Sequence, residues 1–261
     1  MAIEFEDVKS ILYSLRENSN IKYENCLILG NANIYPTFQK IKEFGEKINF
    51  KLIDINKQKL SAQEFGKCLG FKCVETLDIN DEANIKQDLT KNLRTDLIDK
   101  YDLVIDAGVL FYCFEPGIAL KNIFLMAKKQ SLIVHITAIS GFYGRAYYNI
   151  HPQVLIDFYK INSGFIINSN IRPRPFKSTI LNYFMAFYKK IFFFCNHETF
   201  KKINSNDINF IYYNKSTITK IYFSNKNNYT ESRNISNNIV GTFSFQIEKN
   251  NNNILVPILT F

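Results

Sequence analysis

Two hydrophobic periods alternate along the first 160 residues. Phe5, Val8, Ile11, Leu12 and Leu15 recur at the spacing of one helical face across residues 4–16. Residues 25–30 (NCLILG) form a continuous apolar run ending in glycine, the pattern of a buried strand. Pro36 suits the first turn of a helix reaching to Lys47, and residues 50–55 read as another strand. Residues 61–69 carry helical spacing that Gly70 stops. Short strands are then predicted over 72–77 and 84–87, a short helix over 91–99, and a central strand over 103–106. A helix over 117–129 leaves through KKQS into the strand 132–137. Beyond residue 160 the pattern turns to strands, at 165–171, 209–213, 217–223, 241–246 and 254–261, with Asn-rich loops between them.

Strands and helices in alternation describe an α/β fold: a mostly parallel, Rossmann-like sheet with helices on both faces, closed by C-terminal antiparallel strands. Residues 1–160 make the α/β core. Residues 161–261 complete the sheet and add an acceptor-side, aromatic appendage, the whole forming one structural domain.

The chemistry lies at the ends of these runs. Two of them finish in a carboxylate, at Asp78 and Asp88, and a third finishes at Asp106-Ala107-Gly108. The carboxyl edge of a parallel sheet is where ligands bind, and acids there can hold the hydroxyls and amino group of an adenosine. Two acids compete for the ribose. Asp54 lies 24 residues past Gly30, near the offset of a Rossmann unit, whereas Asp78 lies 48 past it. The downstream spacing favours Asp78, because Asp88 is then left for the adenine. The first turn, Gly30-Asn31-Ala32-Asn33, has a single glycine.

Composition narrows the picture a little. A net charge of +8 is spread without a basic block, which argues against a nucleic-acid arm and is compatible with an anionic small substrate. Cys26, Cys68, Cys73, Cys113 and Cys195 show no metal-ligand spacing and read as packing residues, so no metal is expected. The acidic, amphipathic start is unlike a signal peptide, and the apolar stretch 180–195 is interrupted by Asn182, Lys189 and Lys190. A cytoplasmic protein without a membrane span is the expectation.

With these residues in view, the segment from Ala62 to Phe158 resembles class I, seven-strand S-adenosylmethionine-dependent methyltransferases. It is similar in particular to a bacterial subgroup that modifies small molecules. The matching stretches are TLDINDEANIKQDLT, YDLVIDAGVLFYCF and HITAISGFYGRAYYNIHPQVLIDFY. The resemblance implies S-adenosylmethionine as cofactor. Asp78 and Ile79 would stand at the ribose, Asp88 and Leu89 at the adenine, and Gly30 and Asn31 near the methionine. Asp106, Ala107 and Gly108 would line the methyl-donor pocket. Two departures stand out: Phe111-Tyr112 replaces the usual Glu-His, and Lys129-Gln130-Ser131 replaces a glycine pair.

Residues after the fifth strand face the acceptor in such proteins. His135, Tyr148 and His151 are the expected catalytic groups, His having the right unperturbed pKa for a general base. Tyr112, Tyr143 and Arg145 are the expected substrate contacts, with Arg145 suited to clamp a phosphate or carboxylate. Core burial of His135 and a helix-start role for His151 are the plainer readings, and Arg172 and Arg174 are expected to be solvated. The implied reaction is methylation of O or N on a small polar metabolite, sugar-like, nucleotide-linked or phosphorylated, with polysaccharide modification as the setting by analogy. A homodimer is compatible with the aromatic run 183–194. The rival functions are an NAD-dependent oxidoreductase or epimerase, which would want a fuller GxGxxG, and a methyltransferase-like binding protein without turnover.

Overall fold

The structure is a computed structural model that describes residues 2–142, 146–173, 208–214, 217–223, 239–248, 254–255 and 257. Elements follow in chain order. β1 (Ala2–Ile3) leads into α1 (Phe5–Glu17), then β2 (Asn25–Leu29), β3 (Asn33–Ile34), α2 (Phe38–Lys47) and α3 (Ala62–Cys68). β4 (Cys73–Asp78), β5 (Ile85–Lys86), β6 (Tyr101–Asp106), α4 (Pro116–Met126) and β7 (Ala127–Ser140) complete the first half. α5 (Pro152–Ile161), β8 (Gly164–Pro173), β9 (Ile208–Asn214), β10 (Thr217–Phe223) and β11 (Ile239–Ile247) follow.

Seven strands share one sheet in the order β5-β4-β2-β6-β7-β11-β8. β2, β4, β5, β6 and β7 pair in parallel, and β11 runs antiparallel between β7 and β8. The sheet therefore draws strands from both sides of residue 160. Leu27, Ile28, Leu29, Leu103, Val104 and Ile105 have no exposed surface, as expected of central parallel strands covered on both faces.

Several boundaries differ from the sequence reading. Residues 50–55 form no strand: they follow Asn49 in the left-handed region (φ 57°) and tie back through Ile53 N–H to Cys68 O at 2.9 Å. α2 starts at Phe38 behind a Thr37 cap, leaving Pro36 outside its first turn. Over 91–99 a single 3-10 turn, Thr95–Leu97, replaces the expected helix. α4 stops at Met126, and the KKQS segment already belongs to β7, where Gln130 (φ 63°) absorbs a break in the register with β6. β9 and β10 pair with each other as a hairpin instead of joining the main sheet. Residues 254–255 and 257 form no strand. The aromatic run 183–194 lies outside the described residues. No helix among the described residues is long and apolar enough to cross a membrane.

α1 covers one face of the late strands, and its buried side is partly polar. Asp7, Ser10 and Ser14 are fully buried beside Val8, Ile11 and Leu12. The Asn168 side-chain amide of β8 donates to Ser10 O at 3.2 Å.

Candidate functional site

The strand order reverses between β2 and β6, the place at which open α/β sheets bind ligands beyond their carboxyl ends. β2 runs into Gly30, whose φ of 81° turns the chain sharply out of the sheet. Its N–H donates to Leu77 O at 2.7 Å, so the turn is fastened to β4. Asp78 closes β4 beside it. Its Oδ2 accepts the Asn31 N–H at 3.1 Å, and its Oδ1 accepts the N–H groups of Ile79 at 2.7 Å and Asn80 at 3.3 Å. The carboxylate is thus pinned across the crevice, next to an Ile79 side chain that is 62% exposed. The Asn31 amide donates to Glu82 at 2.7 Å.

Asp88 lies just past β5 and accepts from the Thr90 N–H at 2.8 Å and the Thr90 hydroxyl at 2.7 Å. Those bonds hold its carboxyl below the usual carboxylate range. Leu89 is buried, and its carbonyl accepts from the Asn122 amide at 2.8 Å. Asp54 is elsewhere. It sits on the surface, 75% exposed at its side chain, paired with Lys42 at 2.6 Å. Of the two rival acids, Asp78 stands at the crevice.

Asp106 ends β6 and has no exposed surface. Its Oδ1 gathers the N–H groups of Val109 at 2.6 Å, Gly108 at 3.1 Å and Leu110 at 3.4 Å. Its Oδ2 faces His135 Nδ1 at 2.8 Å, and His135 Nε2 lies 2.6 Å from the Tyr159 hydroxyl on α5. The simplest arrangement has Tyr159 donating to Nε2 and Nδ1–H donating to the carboxylate. Burial and the nearby Asp106 charge keep the Tyr159 phenol well above its usual pKa, so it stays protonated. This chain holds the Ala107–Leu110 turn in place. Gly108 is required there, since its φ is 94° and a Cβ would come within 2.9 Å of the Phe111 ring.

Beyond that turn opens a cavity of about 270 Å³. Gly108, Phe111, Tyr112, Ile136, Phe142 and Val240 form its apolar sides. Glu4, Asp7 and Arg172 form its charged end, and Asn33 and Tyr35 also line it. Arg172 is not solvated as expected. Its Nη2 donates to Asp7 Oδ2 at 2.7 Å, its Nη1 to Thr242 Oγ1 at 3.3 Å, and Glu4 Oε2 lies 3.6 Å away. Thr242 Oγ1 donates in turn to Asp7 Oδ1 at 2.6 Å. The burial of Asp7 makes this pairing obligatory, because an uncompensated buried carboxylate is costly.

Sequence-expected acceptor residues fare unevenly. His135 is corrected: it is fully buried on the opposite face of β7 from Ile136 and Ala138, which line the cavity, and both ring nitrogens are engaged. Its partners are Asp106 and Tyr159, and it does not line the cavity. His151 is the N-cap of α5, its Nδ1 accepting the Gln153 N–H at 3.2 Å, and burial lowers its pKa. Tyr148 donates its hydroxyl to Phe114 O at 3.0 Å, outside the cavity wall. Tyr112 does line the cavity, at 42% exposure. Tyr143, Arg145 and Arg174 lie outside the described residues.

Glu4, Asp7, Tyr35, Phe142, Tyr159 and Thr242 were not foreseen. Only Asp7 left a trace, sharing one helical face with Ser10 and Ser14 alongside the apolar stripe.

No protein-family model matches the chain, and no curated protein does. Among solved structures it is similar to the YcgJ protein of Bacillus subtilis, at 6% identity over 94% of this chain and 99% of that one, TM-score 0.43. It is also similar to a SAM-dependent methyltransferase from Archaeoglobus fulgidus, at 11% identity over 92% and 93% of the two chains, TM-score 0.40. A third is the arsenic(III) S-adenosylmethionine methyltransferase of Chlamydomonas reinhardtii, at 9% identity over 93% and 73%, TM-score 0.36. Six strands run one way, with an order that reverses at the β2/β6 switch point, and antiparallel β11 lies between β7 and β8; together they make a doubly wound, Rossmann-like sheet.

Proposed function

We propose that this chain transfers a methyl group from S-adenosylmethionine to an oxygen or nitrogen of a small acceptor held in the cavity beside Gly108. The observation that carries this reading is the placement of Asp78. Its carboxylate closes β4, the neighbour of β2, and is fastened to the Asn31 N–H just past the Gly30 turn, with an exposed Ile79 beside it. A carboxylate so held suits a vicinal diol, and an exposed branched side chain next to it suits a planar base. The residues fit the cofactor: Asp78 would take the ribose, Asp88 and Leu89 the adenine, and Gly30, Asn31 and Gly108 the amino-acid portion. When bound, S-adenosylmethionine supplies a methyl group on a sulfonium whose departure leaves a neutral thioether.

The chain's own contribution is then orientation. Asp106, held by His135 and Tyr159, keeps the Gly108 turn in the shape shared by the donor crevice and the acceptor cavity. The acceptor's proton must leave toward a group on the cavity wall, and of the two carboxylates there Glu4 keeps exposed surface, whereas Asp7 is held at both oxygens by Arg172 and Thr242. Isothermal titration of the full chain with S-adenosylhomocysteine and with NAD tests the reading. S-adenosylhomocysteine should bind and NAD should bind weakly or not at all; tighter NAD binding would replace this proposal with a dehydrogenase.

A second reading, a binding protein that retains the fold without turnover, draws on one observation: His135, His151 and Tyr148 are all engaged away from the cavity. S-adenosylhomocysteine release from S-adenosylmethionine in the presence of an acceptor panel separates the two.

A further inference from the structure

We propose that the cavity takes a single-ring aromatic acceptor without negative charge, a phenol or an arylalkyl amine, with its hydrogen-donating or cationic end toward the Glu4 carboxylate. The proposal deepens the methyl-transfer reading and depends on it only for the word acceptor.

Three features carry it. The first is the wall. Phe111 packs against Tyr112 with centroids 4.6 Å apart and against Phe142 at 5.8 Å, the planes tilted by 39° and 50°. Tilted rings bordering a cavity offer faces and edges to an inserted ring, and such aromatic pairs add to the simple burial of area. Ile136 and Val240 add apolar surface to the lining, Val240 lying opposite Arg172 across β11 and β8.

The second is size. A cavity of about 270 Å³ falls just under the roughly 300–1,000 Å³ of sites for drug-sized ligands, which suits one ring with a short side chain.

The third is charge. Glu4 and Asp7 bring two carboxylates to the lining and Arg172 one guanidinium, a formal surplus of one negative charge among these groups. Arg172 is already committed to Asp7 at 2.7 Å, with Glu4 at 3.6 Å. A second anion placed there meets like charge in a partly desolvated site, whereas a hydroxyl, an amine or an ammonium meets the part-exposed Glu4 carboxylate. The acidic end therefore selects against the phosphorylated or carboxylated acceptors that the chain's net charge of +8 had made admissible.

Titration calorimetry on the full chain, with and without saturating S-adenosylhomocysteine, tests this with three probes that share one phenol ring. They are tyramine (cationic), 4-methylphenol (neutral) and 4-hydroxyphenylacetate (anionic). Tyramine and 4-methylphenol should each bind at least about tenfold more tightly than 4-hydroxyphenylacetate. Glu4→Gln keeps a side-chain oxygen to cap α1 and should shrink the tyramine preference. Phe142→Ala should weaken the cationic and neutral probes alike. Equal or tighter binding of 4-hydroxyphenylacetate overturns the charge assignment. No binding by any of the three overturns the aromatic class. S-adenosylhomocysteine titrated alone strikes only at the donor reading, because the probe series on the ligand-free chain still decides the cavity's preference.

Discussion

Asp78 and Asp106 show how differently one side chain behaves at two strand ends. Asp78 is half-buried and shares its lone pairs between backbone N–H groups and the crevice. Removing its charge should leave the fold intact and weaken a diol ligand. We expect Asp78→Asn to lower S-adenosylhomocysteine affinity by about tenfold to a hundredfold, the worth of one or two charge-assisted hydrogen bonds, with Asp54→Asn as the neutral control. Asp106 has no exposure, and its partners are internal. Tyr159→Phe should therefore strip His135 Nε2 of its donor and cost about 1–3 kcal/mol of stability, measured by denaturant unfolding. His135 was visible in the sequence as a histidine within an apolar run. Its role was not, because the Tyr159 and Asp106 that occupy its two nitrogens are 24 and 29 residues away.

At the scale of elements, two devices hold the site's frame. α1 is tied to β8 and β11 through Asp7, Arg172 and Thr242. Arg172→Ala would leave a buried carboxylate without its cation and should cost about 3–5 kcal/mol, read as a lowered unfolding midpoint. Replacing the pair by Asp7→Asn with Arg172→Met should recover much of that loss. α3 is capped reciprocally: the Ser61 hydroxyl accepts from the Glu64 N–H, while the Glu64 carboxylate accepts from the Ser61 N–H and pairs with Lys57. The Lys57 contact, first, and the Ser61 N–H push the Glu64 carboxyl down to about 2. A carboxyl lowered on folding contributes stability above its unfolded value, lost as pH falls through the folded one. Glu64→Gln should thus flatten the acid limb of stability between about pH 4.5 and 2. α1, α3 and the central strands were legible because periodicity and caps are local. Residues 50–55 misled because an apolar run shows how much it wants burial, not which partner strand is there to receive it. The same limit hid the register break at Gln130, where the strand begins earlier than its hydrophobic run.

For the molecule as a whole, the crevice and the cavity meet at one turn, so a ligand in the crevice should stiffen the fold broadly. S-adenosylhomocysteine at a hundred times its dissociation constant should add about 2.7 kcal/mol to unfolding and raise the melting temperature by several degrees. At the same ligand concentration Asp78→Asn should cut that gain to about 1.4 kcal/mol for a tenfold loss of affinity and to about 0.4 kcal/mol for a hundredfold loss. The amino-acid sequence by itself determined the α/β alternation, the acids at the strand ends and the glycines that turn the chain there, because each follows from short-range periodicity and backbone sterics. Tertiary structure decided the rest. It placed Asp78 and not Asp54 beside the Gly30 turn, put His135 on the face of β7 away from the cavity, and brought Arg172 against an aspartate 165 residues earlier. Those outcomes depend on which strands become neighbours, and strand neighbours are chosen by burial summed over the whole sheet, a quantity no local window contains.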